Sequence, residues 1–329
     1  MDHAIKAIQL RRKFGAVNAV DGIDLVVHPG EIYGFLGPNG AGKSTMIRML
    51  TTLLLPSGGT ASVAGHDVVR EPVQVRLSIG TALQETGLDP KQTGKELLRL
   101  QGSLYGLSRR QTDSRIQELE ELIDIGDALR RFIGTYSGGM KRRLDLAASL
   151  IHHPQVLFLD EPTTGLDPIS RARVWNYVRA INRDMGVTIF LTTQYLEEAD
   201  ELAERVGIIN HGVLATEGTP AELKRSVGSD VIVATVDAPN KSKRALSSVP
   251  GIQGVDAYEG ELTISVSNGA ALISDVAIAL SHAGVRINEL TLRTPTLDDV
   301  FLQITGARME AEAEVSGADI GAELGHTSP

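Results

Sequence analysis

The chain has 329 residues and a mass of 35.2 kDa, enough for two domains at about 150 residues each. Hydrophobic residues at 42% and charged residues at 22% exclude collagen-like, low-complexity and wholly disordered chains, and the absence of cysteine excludes disulfides, thiolate zinc sites, iron–sulfur clusters and a cysteine nucleophile. Lys+Arg 32 against Asp+Glu 41, a net charge of −9, argues against a general electrostatic grip on nucleic acid or anionic lipid, so an anionic ligand must be held locally and no nucleic-acid partner is expected.

No apolar run approaches the ~20 residues of a membrane helix. Met1–Lys6 lacks a basic stretch followed by an apolar one, so no secretory signal is expected and the protein should stay in the cytoplasm. From Ala4 to about Arg225, short β-rich runs alternate with segments of helical period. Strands are predicted at Glu31–Leu36, Ser78–Leu83, Val156–Leu159, Val187–Thr192 and Arg205–Ile209, with an amphipathic helix from near Lys43, the pattern of a layered α/β domain over 4–225. Lys91–Gly134 carries no strand signal. There Ile116, Leu119, Leu122 and Ile123 recur at helical spacing behind Ser108-x-x-Gln111, a capping box, which predicts an inserted helical subdomain over 91–134. Asn210-His211-Gly212 is a hairpin turn, with glycine available for positive φ.

From about Ser226 the pattern changes. Strands at Asp230–Val236, Ile252–Tyr258, Glu261–Val266 and Arg286–Leu292 interleave with helices at Lys241–Ser248 and Ala270–His282, and a short helix follows at Leu297–Ile304. The order βαββαβ is the split βαβ of ferredoxin-like domains and predicts a small α+β domain over 228–306. The stretch 307–329, rich in Ala, Gly and Glu with no aromatic residue, is expected to be a disordered acidic tail. No internal repeat is present.

Gly37-Pro38-Asn39-Gly40-Ala41-Gly42-Lys43-Ser44 fits G-x-x-x-x-G-K-[ST] in full and lies between a strand and a helix, the context this phosphate-binding loop requires. Its glycines let successive N–H groups turn inward on a phosphate, and the following helix, which continues through Thr45, adds the positive end of its dipole. Lys43 would reach the β- and γ-phosphates and the Ser44 hydroxyl would ligate Mg²⁺. Val156-Leu157-Phe158-Leu159-Asp160-Glu161 is an apolar strand ending in two carboxylates. Strand carboxyl ends carry ligands in parallel α/β sheets, so Asp160 can hold the metal and Glu161 can orient or deprotonate an attacking water. The paired His152-His153 and the lone His211 lack further ligands at metal spacing and are expected to be structural. Lys141-Arg142-Arg143 is expected to be a solvated helix face.

Tyr136-Ser137-Gly138-Gly139-Met140-Lys141, at the start of an apolar-periodic helix and with Ser137 19 residues before Val156, resembles the signature sequence of ATP-binding-cassette (ABC) ATPases. Ser137 would be the N-cap of a second anion site. Gln84 resembles the Q-loop glutamine of that family, which implies both a catalytic and a metal-ligating role; Thr164-Gly165-Leu166-Asp167 resembles the D-loop, and Phe14 stands where an aromatic stacks on adenine. Thr192–Asp200 resembles the switch segment, with Gln194 where most members carry histidine. Glutamine still donates a hydrogen bond to a γ-phosphate but cannot take up a proton near neutral pH. This resemblance covers about Ala4–Glu217 and implies a P-loop ATPase fold, ATP and Mg²⁺ as cofactors, catalysis by Lys43, Glu161 and Gln194, and a head-to-tail homodimer. In that dimer ATP is held between Gly37–Ser44 of one copy and Ser137-Gly138-Gly139 of the other.

The string 136–147, the Gln194 switch and Thr296-Leu297-Asp298-Asp299-Val300-Phe301 look like the ATP-binding subunits of daunorubicin/doxorubicin-resistance exporters. That likeness implies a peripheral motor on the cytoplasmic side of the membrane, working with a separate integral-membrane permease. An importer motor and a non-transport ABC ATPase stand as alternatives. A guanine-nucleotide switch is disfavoured, because Asn240-Lys241-Ser242-Lys243 lacks the aspartate that bonds the base.

Overall fold

The computed structural model describes residues 3–305 apart from 84–86, 229, 248 and 259–260. In chain order, β1 (Ile5–Phe14) and β2 (Val17–Val27) form a hairpin, and β3 (Ile32–Leu36) runs into α1 (Lys43–Leu50). Then come β4 (Gly58–Val63), β5 (His66–Asp67), α2 (Pro72–Ser78) and β6 (Ile79–Ala82), followed by α3 (Gly94–Leu104) and α4 (Arg109–Ile123). The chain continues through α5 (Gly138–Leu150), β7 (Val156–Asp160), α6 (Pro168–Met185), β8 (Thr188–Thr193), α7 (Leu196–Leu202), β9 (Arg205–Asn210), β10 (Val213–Gly218) and α8 (Pro220–Val227). It ends with β11 (Asp230–Val236), α9 (Pro239–Leu246), β12 (Ile252–Tyr258), β13 (Glu261–Val266), α10 (Gly269–His282), β14 (Ile287–Arg293) and α11 (Leu297–Thr305).

The central sheet has the order β10-β9-β3-β8-β7-β6, parallel throughout except for the β9–β10 hairpin. Strands β3, β7 and β8 are buried along their whole length, which is why their sequences are unbroken apolar runs rather than alternating ones. Successive side chains leave a strand on opposite faces. Phe35, Phe158 and Phe190 therefore pack with α1 and the antiparallel sheet β2-β1-β4-β5, while Leu157, Leu159, Ile189 and Leu191 pack with α5, α6 and the helical subdomain. Phe190 is the centre of the first face, with the rings of Tyr33, Phe35 and Phe158 at centroid distances of 5.6, 5.5 and 5.7 Å. The four-stranded antiparallel sheet carries no mark in the sequence-derived strands, because half-exposed, charge-rich strands such as β1 lack the apolar run that marks β3.

In the helical subdomain α3 and α4 both start on complete capping boxes, Thr93 with Glu96 and Ser108 with Gln111. The Arg99 guanidinium joins the two helices through two hydrogen bonds to Asp113 Oδ1, at 2.9 and 2.8 Å.

The C-terminal elements form a second sheet, β12-β13-β11-β14, with every neighbouring pair antiparallel. This is the strand arrangement of the βαββαβ pattern, with its own core of Ile232, Ala234, Leu262, Ile264, Val276 and Leu280. Helix α11 does not join that core. Its apolar side, Leu297, Val300 and Phe301 with Ile304, lies against Leu36, Ala199, Ala203, Val206, Ile208 and Leu223 of the first unit. A division of the chain near residue 226 therefore separates α11 from the core it completes. The reason is that i, i+3, i+4, i+7 spacing gives the helix one apolar face, and the groove between α7 and α8 offers apolar surface to match.

Candidate functional site

The carboxyl ends of β3, β7 and β8 open onto a cleft of about 340 Å³ walled by Ala19, Pro38, Asn39, Gly40, Gly42, Lys43, Ser44, Thr45, Glu161, Thr164 and Gln194. The loop 37–42 is shaped by close backbone approach. A Cβ on Gly37 would lie 2.5 Å from the Ile209 carbonyl oxygen, and one on Gly42 would lie 2.3 Å from that of Ala19, with Gly42 at φ 114. Gly42 is also the N-cap of α1 and supplies no side-chain acceptor, so the first N–H groups of the helix face the cleft unclaimed by any cap. That is a cradle suited to phosphate oxygens.

Lys43 is buried at 4% exposure. Its ammonium donates to the carbonyls of Gly37 at 2.7 Å and Pro38 at 3.3 Å and pairs with Glu161 Oε1 at 3.2 Å. Burial pushes this ammonium below the ordinary lysine range, while the Glu161 carboxylate pulls it back up. Ser44 Oγ donates to Asp160 Oδ1 at 3.4 Å, and Thr192 donates to the same oxygen. A hydroxyl and a carboxylate oxygen that already converge are the hard donors Mg²⁺ takes, so the residues present fit the ion.

Glu161 adopts φ 48, a left-handed backbone uncommon outside glycine and asparagine. Its amide donates to Thr192 O at 3.1 Å and Thr192 Oγ1 at 3.2 Å, and its Oε2 accepts from Thr164 Oγ1 at 3.4 Å. The sequence marks Thr164 and Thr192 only as members of the D-loop-like and switch-like segments; their contacts with Glu161 carry no spacing signal. Gln194 follows directly on β8 and walls the same cleft.

Some expected members lie elsewhere. Ser137 caps α5 by accepting from Met140 N at 3.3 Å, and Ser137 and Gly138 are exposed and outside the walls of the Lys43 cleft. Gly139 is half-buried beside Ser170. Asp167 is the N-cap of α6, accepting from Ser170 N at 2.9 Å. Phe14 is 46% exposed, carries the Arg12 guanidinium 4.6 Å above its ring and does not wall the cleft. Gln84 falls outside the described residues, as does the expected tail. The expectation of a solvated Lys141-Arg142-Arg143 face is corrected. Arg142 is buried, and Arg143 turns back to the Asp124 carbonyl and the Tyr177 ring, because neighbouring segments offer these cations acceptors that a helical wheel does not show. His152 is stacked on Tyr105 at 3.6 Å between ring centroids, with Nε2 2.9 Å from Ile79 O.

Comparison with known proteins agrees with this geometry. Over 307 residues the chain is 46% identical to the daunorubicin resistance ATP-binding protein DrrA3 of Streptomyces coeruleorubidus, covering 93% of this chain and 96% of that one. The chain belongs to the ABC transporter family of ATP-binding proteins. The ABC transporter family profile matches residues 20–164, and the profile described as the ATP-binding protein DrrA1-3-like C-terminal domain matches residues 218–305. The daunorubicin/doxorubicin resistance ATP-binding protein DrrA of Streptomyces peucetius is also 46% identical, with 92% of each chain covered. Among solved structures, cbiO1 of Clostridium perfringens, part of the ABC transporter complex cbiONQ, superimposes with a TM-score of 0.64 at 25% identity over 68% of this chain and 91% of that one. As an ABC ATPase the chain binds nucleotide and hydrolyses ATP. No helix among the described residues is long and apolar enough to cross a membrane.

Proposed function

We propose that this chain is the ATP-driven motor of an exporter for a drug or antibiotic, working as a homodimer beneath a separate membrane-spanning permease on the cytoplasmic face. The observation that carries the homodimer is a separation: the buried Lys43 with Ser44, Glu161 and Gln194 shares one cleft, with Asp160 bonded to Ser44 behind it, whereas the capped, exposed start of α5 at Ser137 lies outside it. A phosphate-seeking helix end turned to solvent fits the opposing half of a second copy's site. The names of the Streptomyces relatives support drug export over import.

In this mechanism the Gly37–Gly42 backbone and Lys43 hold the phosphates, and Ser44 with Asp160 would hold Mg²⁺. The ion, when bound, screens phosphate charge and orients the γ-phosphoryl group. Glu161, set at the cleft floor and hydrogen-bonded by Thr164, takes the proton of the attacking water. Gln194 donates its amide N–H to a γ-phosphate oxygen as a neutral positioner, so the base chemistry stays with Glu161. Ser137 and the Gly138-Gly139 backbone of the facing copy close the site, and loss of the γ-phosphate removes what bridged the two chains.

The test is size exclusion of the Glu161→Gln protein with and without Mg·ATP. A shift from monomer to dimer on adding nucleotide, abolished by Ser137→Arg, is expected; a monomer under both conditions, with no ATP turnover by the wild type even beside its permease, overturns the proposal.

A further inference from the structure

Arg142 sits in the second turn of α5 with its side chain 8% exposed. Its guanidinium serves four acceptors on three segments. Nε donates to Pro162 O at 2.9 Å; Nη1 donates to Leu83 O at 3.0 Å and Asp145 Oδ2 at 3.2 Å; Nη2 donates to Asp160 O at 3.4 Å. Asp160 and Pro162 are the residues on either side of Glu161, and Leu83 is the residue before the segment that carries Gln84.

We propose that Arg142 is a positioning residue for hydrolysis, one that holds Glu161 in place and links that placement to the Ser137 end of α5. The inference rests on the proposed function above. Glu161 keeps its left-handed backbone, φ 48, only if its surroundings over-determine it, since such a conformation is strained in a non-glycine residue. The amide of Glu161 is fixed by Thr192, and the carbonyls before and after it are fixed by Arg142. A base that must meet a water within hydrogen-bond reach depends on that fixing.

The helix supplies the second half of the argument. Ser137 and Arg142 are five residues apart, about 7 Å along a hydrogen-bonded helix rising 1.5 Å per residue. In a head-to-tail pair, the Ser137 end of α5 touches the nucleotide in one site, while Glu161 of the same chain works in the other. Arg142 is therefore a direct mechanical connection between the two sites. It also explains the residue type, because a planar fork can serve acceptors in several directions where an ammonium serves one cluster.

The experiment uses the full chain, with its permease where turnover requires it, and compares wild type with Arg142→Lys and Arg142→Gln. ATP turnover is measured against ATP concentration, together with the affinity for a fluorescent ATP analogue and the thermal midpoint. The Lys variant keeps the charge beside Asp145 and loses the fork. Both variants are expected to lower kcat by about 10- to 100-fold, in keeping with small displacements of a catalytic group, with KM and analogue affinity within about threefold of wild type and the Hill coefficient for ATP falling towards 1. A Lys variant that retains full kcat and cooperativity overturns the proposal in favour of simple charge neutralisation. A parallel fall of kcat, affinity and thermal midpoint overturns it in favour of a purely structural role. If the Gln variant does not fold, the Lys variant decides with the same readouts. A wild type that neither turns over ATP nor dimerises with it points instead to failure of the functional proposal, whereas an active wild type with an equally active Lys variant rejects the Arg142 inference alone.

Discussion

At the scale of single residues, the cleft divides its labour between groups whose chemistry is visible in their type and groups visible only in their contacts. Lys43, Ser44, Asp160 and Glu161 are legible in sequence because phosphate and metal ligation require those residue types at fixed places after a strand. The contacts of Thr192, Thr164 and Arg142 are not, since they depend on which atoms these side chains meet across 31, 3 and 20 residues of chain. Replacing Glu161 with Gln removes the proposed base while leaving a similar shape, so steady-state turnover is expected to fall by at least about 100-fold, with the proposed ATP-driven dimerisation retained. If Gln194 is the neutral donor proposed above, Gln194→His should leave turnover within about tenfold of wild type, measured as phosphate release at pH 7. A titration effect belongs to His152. Burial holds its imidazole down at about 4 against an ordinary 6.5, so the folded protein prefers the neutral ring. Stability is then fully present above pH 6.5 and is lost as pH falls from there towards 4. His152→Phe, which keeps an aromatic face for Tyr105, should flatten that part of the stability curve in denaturant titrations across this range.

Among elements, the informative cases are the starts of α1 and α5. Helix α1 opens on a glycine that offers its N–H groups no side-chain acceptor, whereas α5 opens on a serine whose hydroxyl already takes one of them. Gly42→Ala should lose well over 1 kcal/mol, because alanine at positive φ is strained and its Cβ would lie 2.3 Å from the Ala19 carbonyl oxygen. Nucleotide affinity should fall with it, which a thermal melt and a fluorescent-nucleotide titration would show together. The helical character of the inserted subdomain, through the Ser108 capping box and the spacing in α4, and most strands of the central sheet were predictable from pattern. The antiparallel sheet β2-β1-β4-β5 was not, because its half-exposed, charge-rich strands lack an apolar run and its β1–β4 pairing joins segments far apart in sequence.

For the whole molecule, the two units are joined by packing as well as by chain. The order βαββαβ could be read from sequence, since its short β-rich runs and helical segments are separated by turn residues. The destination of α11 could not, because an apolar helix face says that something covers it without saying what. Phe301 is 1% exposed among residues of the first unit, and Phe301→Ala should destabilise the protein by about 3–5 kcal/mol, with a single lowered melting transition for both units as the expected result. The same docking imposes an order on biogenesis. A ribosome adding about 5–20 residues per second releases α7 and α8 several seconds before α11 exists to cover them. Throughout that interval the nascent motor carries an open apolar furrow, and a message cut short anywhere before α11 would leave that furrow open for good.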